Sequence, residues 1–186
     1  MTRALSRSLV AAMLLCMPLL AKANLISNGG FESGTLAGWS CTGADLCQAS
    51  TSNGSHSGTY AMVGFDNNGF ATLSQTIATT AGQSYDFEFW SRDTIIHAGN
   101  ILRYQLGAGP IVMVAQSLAF MQTTDMFTAA GASTTVNFYF ETDIGTGTWA
   151  IDDVLVKAAV AVPEPLSAAL LGFGLIALGW GRRSRK

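Results

Sequence analysis

The sequence predicts an all-β protein, a jelly-roll-like β-sandwich held between two apolar ends. Three observations carry this prediction. Short apolar runs alternate with turn clusters through the middle of the chain. Gly, Ser, Thr and Asn are abundant there, and Pro110 is the only proline between residues 24 and 157. No long stretch repeats its apolar residues with the 3.6-residue period of a helix, so the pattern is that of a sandwich of short strands.

The clearest predicted strand is the segment YDFEFW, residues 85–90. Side chains alternate across a strand, so every second residue lies on the same face. Tyr85, Phe87 and Phe89 therefore form an apolar face. Asp86, Glu88 and Trp90 lie on the opposite face. The sequence GQS just before the segment is typical of a turn.

Residues 134–141, TTVNFYFE, alternate in the same way. Val136, Phe138 and Phe140 are expected to point inward, and Asn137 and Tyr139 outward. Further strands are predicted at residues 59–65, 71–77, 101–107, 110–116, 121–129 and 148–157. Seven or eight short strands are enough for two packed sheets.

The first 23 residues have the pattern of a secretory signal peptide. Arg3 and Arg7 precede an almost wholly apolar run at residues 9–20, and Ala21-Lys22-Ala23 offers an A-x-A cleavage site. Cleavage after Ala23 would start the mature chain at Asn24. The alternative is an uncleaved anchor, but the run is shorter than the roughly 20 residues that a membrane-spanning helix needs.

Charge is divided sharply along the chain. Seven of the ten basic residues lie in the first 22 or the last five residues. Only Arg92, Arg103 and Lys157 lie between, together with eleven of the twelve acidic residues, so residues 24–160 carry a formal charge of −8. A domain this acidic is not expected to bind nucleic acid, because such binding rests on neutralising phosphates with Lys and Arg.

Two cysteines, Cys41 and Cys47, remain in the predicted mature chain. An even number of cysteines in an exported protein favours a disulfide. The alternative is a metal-binding pair, but no histidine or further cysteine lies near enough in sequence to complete a zinc site. We therefore predict a disulfide between them.

The C-terminal end changes character after residue 157. Residues 158–162 read as a linker, and Pro163-Glu164-Pro165 then keeps the chain extended. Residues 166–180 carry no charge, and Arg182, Arg183, Arg185 and Lys186 follow. Since the apolar run has no polar face, we interpret it as a short transmembrane helix and not as an amphipathic helix of the domain, with its basic end in the cytoplasm.

This order of parts resembles the PEP-CTERM sorting signal of Gram-negative bacteria, here at residues 163–186. The resemblance implies a processing enzyme, the membrane protease-transpeptidase exosortase, and an association with exopolysaccharide or biofilm. Together with export by the Sec machinery, it implies an inner-membrane-anchored precursor that faces the periplasm. The processed protein would then reach the cell surface or the extracellular matrix.

The middle of the chain resembles galactose-binding-like β-sandwiches, which include carbohydrate-binding modules. The opening NLISNGGFESGTLAGW, the segment SQTIATTAGQSYDFEFW and the closing WAIDDVLV carry the resemblance. Together they span residues 24–157, the predicted domain. The segment between residues 95 and 120 shows no clear match to a ligand site.

In many sandwiches of this group a structural Ca²⁺ ties the first strand region to the last. The resemblance places Glu32 and Asp152 as carboxylate ligands, with Asp153 as the alternate because adjacent strand residues face opposite ways. Calcium needs six to eight oxygen ligands, so two acids do not make a complete site. The alternative is a solvated turn acid at Glu32 and a hydrogen-bonded strand residue at Asp152.

Carbohydrate binding would require exposed aromatic rings that stack on sugars. Trp90 and Tyr139 are the candidates, because both are out of phase with the apolar faces of their strands. Either ring could instead cover a sheet edge or a loop. Trp39 and Trp149 are expected in the core.

An enzymatic function is not expected from the sequence. His56 and His97 lie in polar loops, and no motif of a hydrolase or metalloprotease is present. Asp86 and Glu88 share one strand face, whereas glycoside hydrolysis needs carboxyls that flank the bond. The expected function is a non-catalytic component of the exopolysaccharide matrix; the alternative is a carbohydrate-binding module for a specific glycan.

Overall fold

The computed structural model describes residues 23–143, 145 and 147–159. The predicted sorting tail, and the signal peptide apart from Ala23, lie outside the described residues. In this part the chain is all-β, with no helix long and apolar enough to cross a membrane. It forms ten strands: β1 (Ser40–Thr42), β2 (Leu46–Ser50), β3 (Ala61–Phe65), β4 (Ala71–Ala78), β5 (Ser84–Asp93), β6 (Ile101–Leu106), β7 (Ile111–Met113), β8 (Met121–Thr128), β9 (Ser133–Glu141) and β10 (Trp149–Ala158).

The strands make two five-stranded antiparallel sheets. The first sheet has the order β1-β4-β9-β6-β7, and the second has the order β2-β3-β10-β5-β8. All eight predicted strands are confirmed. The prediction missed β1 and β2, because three and five residues without apolar alternation give no periodic signal.

The core lies between the sheets and follows the predicted alternation. On β5, Tyr85, Phe87 and Phe89 are buried, and on β9 Phe138 and Phe140 are completely buried. Their rings pack across the gap: the Phe89 and Phe138 centroids are 4.9 Å apart in an edge-to-face arrangement, which aromatic pairs favour. Trp39 and Trp149 are also core residues, as expected.

The predicted disulfide between Cys41 and Cys47 is confirmed. Cys41 lies on β1 of the first sheet, and Cys47 lies on β2 of the second. The bond therefore joins the two sheets at one edge of the sandwich. The tight turn between the strands passes through Gly43, whose φ of 79° is accessible to glycine at little cost.

The N-terminal segment lies along the second half of β10. The side chain of Asn24 donates to the carbonyl of Val154 and accepts from the N–H of Val156, at 3.0 Å in both cases. Gly29 follows, where a Cβ would overlap the Val154 carbonyl oxygen. This close approach positions the next residues, including Glu32, beside the middle of β10.

Strand β10 is interrupted by a bulge. Its pairing with β5 shifts register between Asp152 and Leu155, and Asp153 has a φ of 47°. A bulge adds an unpaired residue and bends the strand locally. Beyond it, β10 runs to Ala158, and the N–H of Ala159 still donates to the Ser84 carbonyl, two residues into the predicted linker.

Candidate functional site

The outer face of the first sheet is centred on Tyr139. The neighbours of Tyr139 on β9, Phe138 and Phe140, point into the core, so its own side chain points outward. Tyr139 lies opposite Thr72 of β4 on one side and Arg103 of β6 on the other. We call this surface the tyrosine face; it comprises Phe70, Thr72, Arg103, Gln105, Met113 and Tyr139.

A hydrogen bond fixes the Tyr139 side chain on this face. Its hydroxyl donates to Gln105 Oε1 at 2.8 Å. Both residues are partly buried. Because the hydroxyl is held, the ring is oriented before any ligand arrives, which lowers the entropy cost of binding.

Arg103 lies directly beside the tyrosine. Its guanidinium carbon is 4.4 Å from the centroid of the Phe70 ring, within the range of a cation–π contact. Its Nε lies 3.4 Å from the sulfur of Met113, the residue opposite it on β7. Phe70 and Met113 are exposed. The tyrosine face therefore combines apolar rings and methionine with amide, hydroxyl and guanidinium groups.

The other predicted aromatic residue, Trp90, lies on the outer face of the second sheet. The imidazole of His56 stacks on its indole, and the ring of Phe120 meets the imidazole edge-on at 6.0 Å. One face of Trp90 is therefore covered. Since the two outer faces lie on opposite sides of the sandwich, Trp90 and Tyr139 cannot form one binding site.

His56 belongs to a loop that covers the outer face of the second sheet; we call residues 53–60 the histidine loop. Glu32 accepts hydrogen bonds from the N–H groups of Thr59 and Tyr60, at 2.9 Å each through its Oε1. At Gly58 a Cβ would overlap the Glu32 carboxyl group, so only glycine fits there. Glu32 thus holds the C-terminal half of the loop.

Asp152 and Asp153 hold the other half. Asp152 Oδ2 accepts from the N–H groups of His56 and Ser57, at 2.8 and 3.2 Å. Asp153 contacts the side chains of the same two residues, at 2.7 Å from His56 Nδ1 and 2.8 Å from Ser57 Oγ. Neighbouring strand residues would face opposite ways, but the β10 bulge lets both acids reach the loop.

Asp152 is completely buried beneath this loop. Burial raises its pKa to about 6, although the backbone N–H groups of Ser57, Asp153 and His56 oppose the shift. The raised pKa follows from the cost of holding a charge out of water. The negative charge of nearby Asp153 also raises it.

The two acids predicted to bind calcium therefore hold the same loop. Their oxygens face N–H donors, and within the described ranges no group of three or more His, Cys, Asp or Glu residues could hold a metal ion. As arranged here, the carboxylates of Glu32 and Asp152 accept hydrogen bonds from backbone amides of the loop. Calcium binding stays a prediction, and a titration tests it.

Asp86 and Glu88 line one wall of a shallow cavity on the second sheet. Asp86 lies opposite Lys157, and Glu88 accepts a hydrogen bond from Gln122 at 3.3 Å. Both carboxyl groups come from the same strand face, as the sequence indicates. A third acid, Asp125 of β8, also lines the cavity and accepts a hydrogen bond from the Tyr104 hydroxyl at 2.8 Å.

The sequence did not single out Arg103, Gln105, Phe70 or Met113. Alternation within ILRYQL does place Arg103 and Gln105 on one face of β6. What no sequence pattern shows is that β6 pairs with β9, in a register that places Arg103 opposite Tyr139. Three of these residues, Arg103, Gln105 and Met113, lie between residues 95 and 120, where the sequence showed no ligand-site match.

Residues 23–95 match the family CBM_4_9, described as a carbohydrate binding domain. This stretch contains β1 to β5, with the histidine loop and Trp90, and ends before Arg103 and Tyr139. Among proteins with curated descriptions, none matches the sequence.

Several solved structures share the fold. The CBM22-1 xylan-binding domain from Paenibacillus barcinonensis Xyn10C has a TM-score of 0.58 at 12% identity, over 76% of this chain and 98% of its own. TmCBM61, solved in complex with β-1,4-galactotriose, has a TM-score of 0.55 at 20% identity, over 74% of this chain and 99% of its own.

The enzymatically active domain of bacteriophage CBA120 tailspike protein 4 has a TM-score of 0.58 at 15% identity, over 73% of this chain. The match spans only 21% of the tailspike chain. Identities this low show the fold alone. The chain has a β-sandwich of the kind found in carbohydrate-binding modules.

Proposed function

We propose that the sandwich binds a glycan on the tyrosine face. The observation that carries this proposal is the oriented ring of Tyr139, held by Gln105 and flanked by Arg103 on one side and Thr72 on the other. Sugar recognition needs an apolar surface for the ring and polar groups beside it for the hydroxyls. The match of residues 23–95 to a carbohydrate binding domain supports glycan binding by the sandwich; the choice of the tyrosine face rests on the geometry around Tyr139.

Trp90 is the weaker candidate for this role. Its indole is already covered on one side by His56, which in turn is fixed by Asp153. A sugar that stacked on that side would have to displace the imidazole and break its contact with the carboxylate. Tyr139 requires no such displacement.

A glycan array tests the proposal with three variants. The wild type should show saturable binding to at least one glycan. Tyr139→Ala should weaken it at least tenfold, about 1.4 kcal/mol of binding free energy. Tyr139→Phe keeps the ring and should lose less affinity than Tyr139→Ala. Trp90→Ala should leave the affinity within about twofold of the wild type. Binding that survives in Tyr139→Ala but is lost in Trp90→Ala would move the site to the second sheet.

We also propose that the protein acts at the cell surface or in an exopolysaccharide matrix. This rests on the signal-peptide pattern and on the resemblance of residues 163–186 to a PEP-CTERM signal. Sec-dependent export and exosortase processing would deliver the sandwich there. A structural matrix role without a defined ligand is the second candidate, and the absence of binding across the array would favour it.

A further inference from the structure

The tyrosine face carries a cation, Arg103, that forms no ion pair with any acidic residue in the described part of the chain. Both ion pairs found among the described residues involve histidines, so Arg103 has no carboxylate within 4 Å in that part of the chain. Its Nε is directed at Met113, while the ring of Phe70 supports the guanidinium plane. The two terminal nitrogens remain available as paired donors.

The two sheets differ strongly in charge. The strands of the first sheet contain one arginine and one glutamate, Arg103 and Glu141. The strands of the second sheet contain six acidic residues and two basic residues. Six of the eleven acidic residues between residues 24 and 160 therefore lie on strands of the second sheet, and only one lies on a strand of the first.

This separation matters for an anionic ligand. Packed sheets lie about 10 Å apart, and the Debye length at physiological salt is about 8 Å. Repulsion from the solvent-exposed acids of the second sheet is therefore largely screened at the outer face of the first, whereas the buried Asp93 and Asp152 are screened less. Arg103 acts at contact distance, where screening is weak.

From these observations, and resting on the proposed glycan site, we propose that the tyrosine face selects polysaccharides whose sugars carry carboxylate groups. A uronic acid residue presents a pyranose ring and a carboxylate a few ångströms apart. Tyr139 offers a surface for the ring, and the Arg103 opposite it offers the planar fork that binds a carboxylate through two hydrogen bonds. Neutral sugars would use only the first of these contacts.

The test compares each glycan with its own uncharged form. Oligogalacturonate, oligomannuronate and oligoglucuronate are titrated as free acids and as methyl esters, by calorimetry at physiological salt. Esterification removes the charge and leaves the ring intact. The wild type should bind at least one free acid tenfold or more tightly than its ester.

Three variants assign the preference to Arg103. Arg103→Gln should reduce the ratio of acid to ester affinity to near one, and Arg103→Lys should retain part of it because the charge stays but the fork is lost. Glu141→Gln, which removes the one acid in the strands of this sheet, should increase the ratio. Unchanged melting temperatures show that each variant is folded.

The outcomes separate the two proposals. Equal affinity for acids and esters, with binding lost in Tyr139→Ala, would overturn the carboxylate inference and leave glycan binding standing. A preference that persists in Arg103→Gln would also overturn it. Sulfated neutral glycans that bind as tightly as the free acids would overturn the assignment to carboxylates. The absence of binding to any glycan would remove both proposals.

Discussion

The imidazole of His56 lies flat on the indole of Trp90, with ring centroids 3.7 Å apart and an angle of 9° between the planes. Asp153 Oδ2 lies 2.7 Å from Nδ1 at the edge of the imidazole. Directly beneath, Asp152 is the register partner of Trp90 and accepts the His56 N–H. Through these contacts His56 joins the histidine loop to β5 and to the β10 bulge.

The stack should stabilise the domain. His56→Ala removes an aromatic pair, which is worth about 0.5–1.5 kcal/mol, together with the contact to Asp153. We expect a loss of about 1–2 kcal/mol in the free energy of unfolding, measured by urea denaturation. His97→Ala is the matched control. The side chain of His97 is exposed and lies 3.7 Å from Asp143, so this variant should lose less than about 0.5 kcal/mol in the free energy of unfolding. Equal losses in the two variants would contradict a role for the stack.

Asp152 should make stability depend on pH in an unusual direction. Its folded-state pKa of about 6 lies above its ordinary value, so the native state binds a proton more tightly than the unfolded state between pH 4 and 6. Its contribution therefore increases as the pH falls through this window and is lost above pH 6. Relative to Asp152→Asn, the wild type should gain about 2 kcal/mol from pH 7 to pH 4, measured in EDTA. A constant difference between the two proteins would refute the shift.

The disulfide should stabilise the open edge of the sandwich. Cys41 and Cys47 join β1 to β2, which belong to different sheets and are short strands at the sheet edges. A closed loop this small restricts the unfolded chain by about 2 kcal/mol. Cys41→Ser/Cys47→Ser should lose about that amount in urea denaturation. Dithiothreitol should destabilise the wild type equally and leave the double variant unchanged; sensitivity of the variant would show a different cause.

Calcium binding by Glu32 and Asp152 is tested by thermal unfolding. A ligand that binds only the native state stabilises it by mass action. If the site binds Ca²⁺, millimolar Ca²⁺ should raise the melting temperature by several degrees, and Glu32→Gln should abolish the shift. Mg²⁺ serves as the control ion. If neither Ca²⁺ nor EDTA changes the melting temperature, the two acids serve only to hold the histidine loop.

The predicted sorting signal is tested on the exported protein. If exosortase processes the tail, mass spectrometry of the protein in its final location should show the loss of residues 166–186. Replacing Pro163-Glu164-Pro165 by alanines should leave the tail in place and the protein in the membrane fraction. An intact Lys186 in the exported wild type would refute processing. The first residue of the same sample, expected to be Asn24, reports signal cleavage.

Much of the fold follows from local patterns. The alternation of YDFEFW and TTVNFYFE predicts β5 and β9 and assigns their inward faces, because side chains alternate on any strand. The even number of cysteines in the predicted mature chain, Cys41 and Cys47, predicts their disulfide. The short strands on either side of Gly43 escaped prediction, since pairing with β4 and β3, and not their own composition, makes them strands.

The candidate site was less accessible to sequence reasoning. The outward direction of Trp90 and Tyr139 follows from the phase of their strands, whereas only the topology shows that β5 and β9 lie in different sheets and present the two rings on opposite faces. The carboxylates of Asp152 and Asp153 reach the same loop only because β10 has a bulge between them and Leu155. A register shift leaves no signal in the local composition.

By itself, the sequence determined the architecture, the inward faces, the disulfide and the division of charge between the ends and the middle of the chain. These properties depend on neighbours a few residues apart. Only the tertiary structure decided which outward side chains meet, because β6 and β9, and the histidine loop and β10, are far apart in sequence and come together through strand pairing and hydrogen bonds. That pairing brings Arg103 beside Tyr139 and covers Trp90 with His56.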